Sequence, residues 1–211
     1  YGLDTGDVLA DPALDARRQL WVTSAARILA THGMIRFDEV AGTLHPTSVG
    51  RIASRYYLGH ETIAIFATRL RNGIREADAL DCMSRATDFA QIPLRDSEED
   101  ELTGLQERVP CQVPGGTATA PGKVNILLQA HISHLFIEDF ALVSDARYVA
   151  QNAGRVLQAL FELSLDRGFA TAASAFLNLA KSVDKCVWPF EHPLRQYPTL
   201  NADVIHCLLY T

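Results

Sequence analysis

The 211-residue sequence has no apolar run near the ~20 residues that a membrane-spanning helix needs. Nor does it begin with a basic region followed by an apolar signal core, so neither an anchor nor an export signal is expected. Cysteine is scarce: Cys82, Cys111, Cys186 and Cys207 lie far apart and form no C-x-x-C pair. That spacing argues against a disulfide framework and a zinc site, and for free thiols in a reducing compartment. Basic clusters are also missing. A net charge of −6 opposes an autonomous nucleic-acid binder, because affinity for phosphate rests on clustered Lys and Arg. Any such contact has to be local. Finally, there is no G-x-x-x-x-G-K-[ST], hence no cradle of backbone N–H groups and lysine for ATP. No catalytic residue and no bound cofactor are expected of this segment.

What is present describes a packed protein: 48% hydrophobic residues and a mean hydropathy of +0.03. The stretch "DARRQLWVTSAARILA" from Asp15 places Leu20, Trp21, Ser24 and Ile28 at helical spacing, with Gly33 as a stop. In "MIRFDEVAGTLHPT", Ile35 and Phe37 alternate with polar residues, Ala41-Gly42 offers a turn and Leu44 opens a return strand. A helix followed by a hairpin is how a winged helix ends, so residues 1–46 are expected to be the C-terminal part of such a domain. Tyr1 in place of Met, and a last helical signal "NADVIHCLLYT" without a cap, lead to the expectation that the chain is cut from something larger.

Helical signals dominate thereafter. "TSVGRIASRYYLGHETIAIFATRLR" opens with Thr47 and Ser48 as caps, pauses at Gly59 and fits two helices. "EADALDCMSRATDF" continues the spacing, and in "RDSEEDELTGLQERV" the acids Glu98, Glu99, Asp100 and Glu101 crowd a first turn, as a solvated helix start. "PCQVPGGTATAPG" reads as a surface loop. "KVNILLQAHISHLF", a long helix from Val143 and "FATAASAFLNLAKSVDKCVW" complete a mainly α bundle of about seven helices without internal repeats.

The helix "VSDARYVAQNAGRVLQALFELSLDRG" has an unusual first half. On a wheel, Ala153, Leu157, Leu160, Phe161 and Ser164 share one face, and Gln151, Arg155, Gln158, Glu162 and Asp166 the other. A wet back on a core helix is the plain reading. Gly154, however, costs roughly 1 kcal/mol relative to Ala inside a helix, which fits a position that something approaches closely. Ala150, Ala153 and Gly154 beside Gln151, Asn152 and Arg155 would make a shallow hydrogen-bonding platform for a sugar-phosphate chain.

The blocks "LHPTSVGRIASRYYL", "GKVNILLQAHIS", "FALVSDARYVAQNAGRVLQALFELSLDRGF", "LNLAKSVDKCVW" and "PLRQYP" resemble the Sec-63 homology region of large superfamily 2 helicases with paired cassettes, of the activating signal cointegrator complex type. The resemblance covers nearly the whole chain. It implies the end of a winged helix, a Sec-63 type helical bundle over 47–187 with a ratchet helix at about 144–167, and the start of a helix-loop-helix domain over 188–211. It further implies a non-catalytic module of an ATP-dependent 3'-to-5' helicase that closes the strand channel. ATP and magnesium would belong to RecA-like motor domains elsewhere in the parent.

By the same resemblance Asn152 and Arg155 face nucleic acid, with Gln151 and Gln158 beside them. Gln158 departs from the family pattern, which often has a second Arg there, and that weakens the expected phosphate grip. Arg155 is expected to pair with a phosphate, against the alternative of a structural ion pair. Implied partners are single-stranded DNA or RNA, the parent's motor domains, and cointegrator subunits or ribosomes. The implied roles are repair of alkylated DNA and ribosome quality control, in nucleus and cytoplasm. The alternative is a protein-interaction scaffold, from an inactive second cassette or a Sec-63 translocation protein. Smaller features read structurally: His131-x-x-His134 lacks further metal ligands, Ser144-Asp145 caps a helix, and Trp188 packs the bundle.

Overall fold

A computed structural model describes residues 14–197 and 199–200. The signal "NADVIHCLLYT" and Cys207 therefore lie outside the described residues, as do residues 1–13. Among the described residues are eight α-helices and one two-stranded sheet, so the fold is mainly α, as expected. The chain divides into two compact units, Tyr1–His60 and Glu61–Thr211.

In the first unit, α1 (Asp15–Thr31) ends at Gly33, whose φ of +68° only glycine adopts freely. Strands β1 (Ile35–Asp38) and β2 (Thr43–Pro46) pair antiparallel with Ile35 opposite Pro46 and Asp38 opposite Thr43. Asp38 Oδ1 closes the turn by accepting the Val40 and Ala41 N–H groups, both at 3.0 Å. Thr47 caps α2 (Ser48–Arg55) by accepting the Gly50 N–H, as its sequence predicts. Gly50 has its own steric reason: a Cβ there would meet the Met34 carbonyl oxygen at 1.9 Å. Of α1, Ala26 is buried, whereas Leu20, Trp21 and Ile28 are exposed.

The second unit contains α3 (His60–Arg69), α4 (Glu76–Ser84), α5 (Glu99–Gln106), α6 (Ala120–Ile132), α7 (Phe140–Asp166) and α8 (Ala170–Lys185). The first residue of α3, His60, belongs to the first unit. Its centre is α6, buried continuously from Gly122 to Ala130. Pro121 and Gly122 belong to this helix and not to the preceding loop. Thr119 Oγ1 caps the helix at the Gly122 N–H, and proline is tolerated in a first turn where its missing N–H has no helical acceptor. The loop itself is pinned. The buried Gln129 amide accepts from Cys111 N at 2.8 Å and donates to Cys111 O at 3.1 Å. Beneath it Leu102, Leu105, Val113, Ile126, Leu127 and Leu142 form one core.

The longest helix, α7, runs 27 residues, about 40 Å at a rise of 1.5 Å per residue. Leu142, Ala146, Val149, Ala153, Val156, Leu160 and Leu163 are buried on it at alternating steps of four and three. The facing helix α8 buries Ala172, Ala173, Ala175 and Ala180, whose small side chains let the two backbones come close, around Phe176 and Leu179. Trp188, 3% exposed, packs against this bundle and donates Nε1–H to Ser133 Oγ at 2.8 Å.

Candidate nucleic-acid interface

α7 begins earlier than its sequence suggests. Asp139, not Ser144-Asp145, is the cap: Asp139 Oδ1 accepts the Leu142 N–H at 2.9 Å. Asp145 lies one turn inside the helix and serves a buried charge cluster instead. Lys123, fully buried, donates from Nζ to Glu98 Oε2 at 2.5 Å, Asp145 Oδ2 at 2.7 Å and the Pro93 carbonyl at 2.8 Å. Three acceptors match the three protons of an ammonium. Arg95 completes the cluster, donating to Asp145 at 3.0 Å and to Glu98. Glu98 is thus no part of a solvated helix start; it is 1% exposed and charge-compensated. Glu99 and Asp100 are exposed, while Glu101 accepts the Glu138 and Asp139 N–H groups just ahead of α7.

Further along, α7 carries two polar stripes side by side. Tyr148, Asn152 and Arg155 stand at i, i+4 and i+7 and turn toward the short 3-10 turn Thr87–Phe89. Arg155 Nη2 donates to Asp88 Oδ1 at 2.6 Å, and the Tyr148 hydroxyl donates to the Asp88 carbonyl at 3.1 Å. Asn152 links them, donating to the Tyr148 carbonyl and accepting from Arg155 at 3.2 Å. With 29% and 12% of their side chains exposed, Arg155 and Asp88 form a half-sheltered ion pair.

The second stripe is Arg147, Gln151, Gly154 and Gln158, at i, i+4, i+7 and i+11. Gln151, Gly154 and Gln158, with Arg155 at the border, line a groove of ≈ 600 Å³ whose other wall is Lys181 and Asp184 of α8. A Cβ built on Gly154 meets nothing within 4 Å. Packing among the described residues therefore gives no reason for a glycine there. A second hollow of ≈ 800 Å³ adjoins the groove, sharing Ala150 and Gln151 with it, and is bordered by Phe136, Val143 and Arg147. Arg147 and Lys181 are exposed and form no ion pair among the described residues.

The residues singled out in the sequence thus separate. Gln151, Gly154 and Gln158 share the open groove, Arg155 borders it while held by Asp88, and Asn152 is turned onto Tyr148 and Arg155. Sequence reasoning missed Arg147 and Lys181. Arg147 was findable, since it stands one helical turn before Gln151; Lys181 enters through the pairing of α7 with α8, which sequence alone does not reveal.

His131 is held below the usual histidine pKa, first by burial and then by the neighbouring His134. Its Nε2 lies 3.4 Å from Cys186 Sγ. Burial pushes the Cys82 thiol up to about 12 and raises Cys111 and Cys186, so none is an activated thiolate. These three are free cysteines. Among the described residues no cluster of three or more His, Cys, Asp or Glu has metal-binding geometry, and no helix is long and apolar enough to cross a membrane.

The fold and its open groove define a helical-bundle module. Residues 46–207 match the family model described as the Sec63 Brl domain, and the chain belongs to that family. It is 38% identical over 205 residues to the U5 small nuclear ribonucleoprotein 200 kDa helicase of Homo sapiens, covering 97% of this chain and 10% of that protein. It is 39% identical over 206 residues to activating signal cointegrator 1 complex subunit 3 of Gallus gallus, covering 97% of this chain and 9% of the relative. To DExH-box ATP-dependent RNA helicase DExH14 of Arabidopsis thaliana it is 34% identical over 210 residues, 99% of the chain and 10% of the relative. The chain therefore spans about a tenth of the length of these relatives.

Proposed function

We propose that this chain is a non-catalytic module of an ATP-dependent 3'-to-5' helicase, and that α7 is its ratchet helix, contacting the translocating single strand. In this reading residues 1–46 close a winged helix, 47–187 form the bundle and 188–211 begin a helix-loop-helix domain. ATP and magnesium act in RecA-like motor domains of the parent, against which the module closes the strand channel. The relatives' names support a nuclear or cytoplasmic helicase. Splitting of collided ribosomes and repair of alkylated DNA, in company with cointegrator subunits, are the roles that the cointegrator relatives make the first to examine.

The observation that carries the reading is the stripe Gln151, Gly154, Gln158, open along a groove, with a glycine that internal packing does not require. Amide side chains and a bare backbone suit a strand gripped without sequence preference. Arg155 serves the strand from the groove's edge and remains tied to Asp88, which makes its phosphate contact weaker than that of an unpaired arginine. The test is strand unwinding by the complete helicase with Gly154→Leu, which fills the groove without backbone strain. Unwinding should fall at least about tenfold while basal ATP hydrolysis and thermal stability hold. Unchanged unwinding refutes the reading.

One observation favours the scaffold alternative: the charge of Arg155 is already neutralised within the chain. Salt-dependent, sequence-independent affinity for single strands distinguishes the module from a scaffold.

A further inference from the structure

The ≈ 800 Å³ hollow beyond Gln151 differs from the rest of the surface in its charge. In a chain with 25 acidic and 19 basic residues, no carboxylate lines it. Its charged lining side chain is Arg147, exposed and without an ion pair among the described residues. Arg147 stands one helical turn, ~5.4 Å, from Gln151, so the hollow continues the groove along the same face of α7.

Its rim is aromatic and fixed. Phe136 is 76% exposed, beside Leu135, Ile137 and Val143, which are half-buried and apolar. The short segment that presents Phe136 is anchored at both ends. On one side α6 closes with the Leu135 N–H on the Ala130 carbonyl at 2.9 Å, and His134, at a positive φ of 53°, bonds through Nε2 to the Cys186 carbonyl at 3.0 Å. On the other, Glu101 accepts the Glu138 N–H at 2.6 Å and the Asp139 N–H at 3.0 Å. A large apolar ring held in water on a pinned segment costs hydration without repaying it inside the chain.

A guanidinium unpaired among the described residues and an exposed ring, lining one hollow without carboxylates, call for a ligand that carries an anion and a flat apolar face in regular succession. Single-stranded nucleic acid has both; a duplex keeps its base faces stacked internally. We propose that this hollow is a second subsite of the strand path, in which Arg147 pairs with a phosphate and Phe136 stacks an adjacent base. The proposal rests on the reading that the Gln151–Gln158 groove holds a single strand, and lengthens the track toward the amino-terminal end of α7.

The complete helicase would be titrated with a fluorescein-labelled 20-nucleotide oligothymidylate, an abasic oligomer of equal length and an oligouridylate, each across a salt series. Both substituted side chains are exposed, and thermal melting verifies that folding is unchanged. Arg147→Gln should weaken oligothymidylate binding by roughly three- to tenfold and make the slope of log affinity on log salt shallower by about 0.7, the value for one phosphate on a single strand. Phe136→Leu should weaken oligothymidylate and oligouridylate at least about fivefold and leave the abasic oligomer unaffected. An unchanged salt slope for Arg147→Gln, or equal effects of Phe136→Leu on abasic and base-bearing strands, overturns the proposal. Gly154→Leu, measured alongside, separates the two claims. If it weakens binding and the other two do not, the strand uses the groove and not the hollow; if none of the three does, the groove reading falls as well.

Discussion

The two sides of α7 use charge in opposite ways. Toward α6, Asp145 joins Lys123, Glu98 and Arg95 in a cluster where the ammonium is fully buried and every proton of it has an acceptor. Toward the groove, Arg147 and Lys181 stand exposed without ion pairs among the described residues, and Gly154 leaves bare backbone. Removing one partner from a buried cluster strands the others in low dielectric, whereas an exposed unpaired cation has little to lose within the chain. The first arrangement holds the helix in place. The second is worth something only to a ligand.

Breaking the buried side should give the largest effect. Lys123→Met keeps the stem's volume and leaves the buried Glu98 and Asp145 to share Arg95, and should cost about 3–5 kcal/mol in urea unfolding followed by tryptophan fluorescence. Replacing Glu98 with Leu in the same chain should recover part of that loss, because Asp145 keeps Arg95. On the other side, Arg147→Gln should change stability by no more than about 0.5 kcal/mol in the same measurement. Asp88→Asn lies between the two regimes: removing the carboxylate that pairs with Arg155 should tighten single-strand binding about threefold at low salt, with a steeper salt dependence in an anisotropy titration. One further substitution sharpens the contrast most. Gly154→Ala fills open space in a helix interior, so it should stabilise the fold by about 0.5–1 kcal/mol while failing to improve strand binding.

Much of the fold was legible because local chemistry decides it. Ala41-Gly42 marks the hairpin turn, Thr47 caps α2, and steps of three and four along α7 announce its buried face. Two of the misreadings share one cause, a partner distant in sequence. Glu98 looks like a helix-start acid until Lys123, 25 residues on, is folded against it. Asp145 looks like a cap until the same lysine, 22 residues before it, claims its carboxylate. With Asp145 occupied, the helix starts at Phe140, capped by Asp139. The site was half legible for the same reason. The helical period gathers Gln151, Gly154 and Gln158, but the ion pair that holds Arg155 is made by Asp88, 67 residues away.

Crosslinking tests the central claim, that the open stripe of α7 carries a single strand, most directly. A photoreactive benzoylphenylalanine placed at Gln158 in the complete helicase, and in a separate variant at exposed Thr103 on α5, would be irradiated with a labelled oligonucleotide under translocating conditions. The account predicts a strong crosslink from Gln158 and none from Thr103. Equal labelling at the two positions, or none at Gln158 while the helicase unwinds normally, would contradict it.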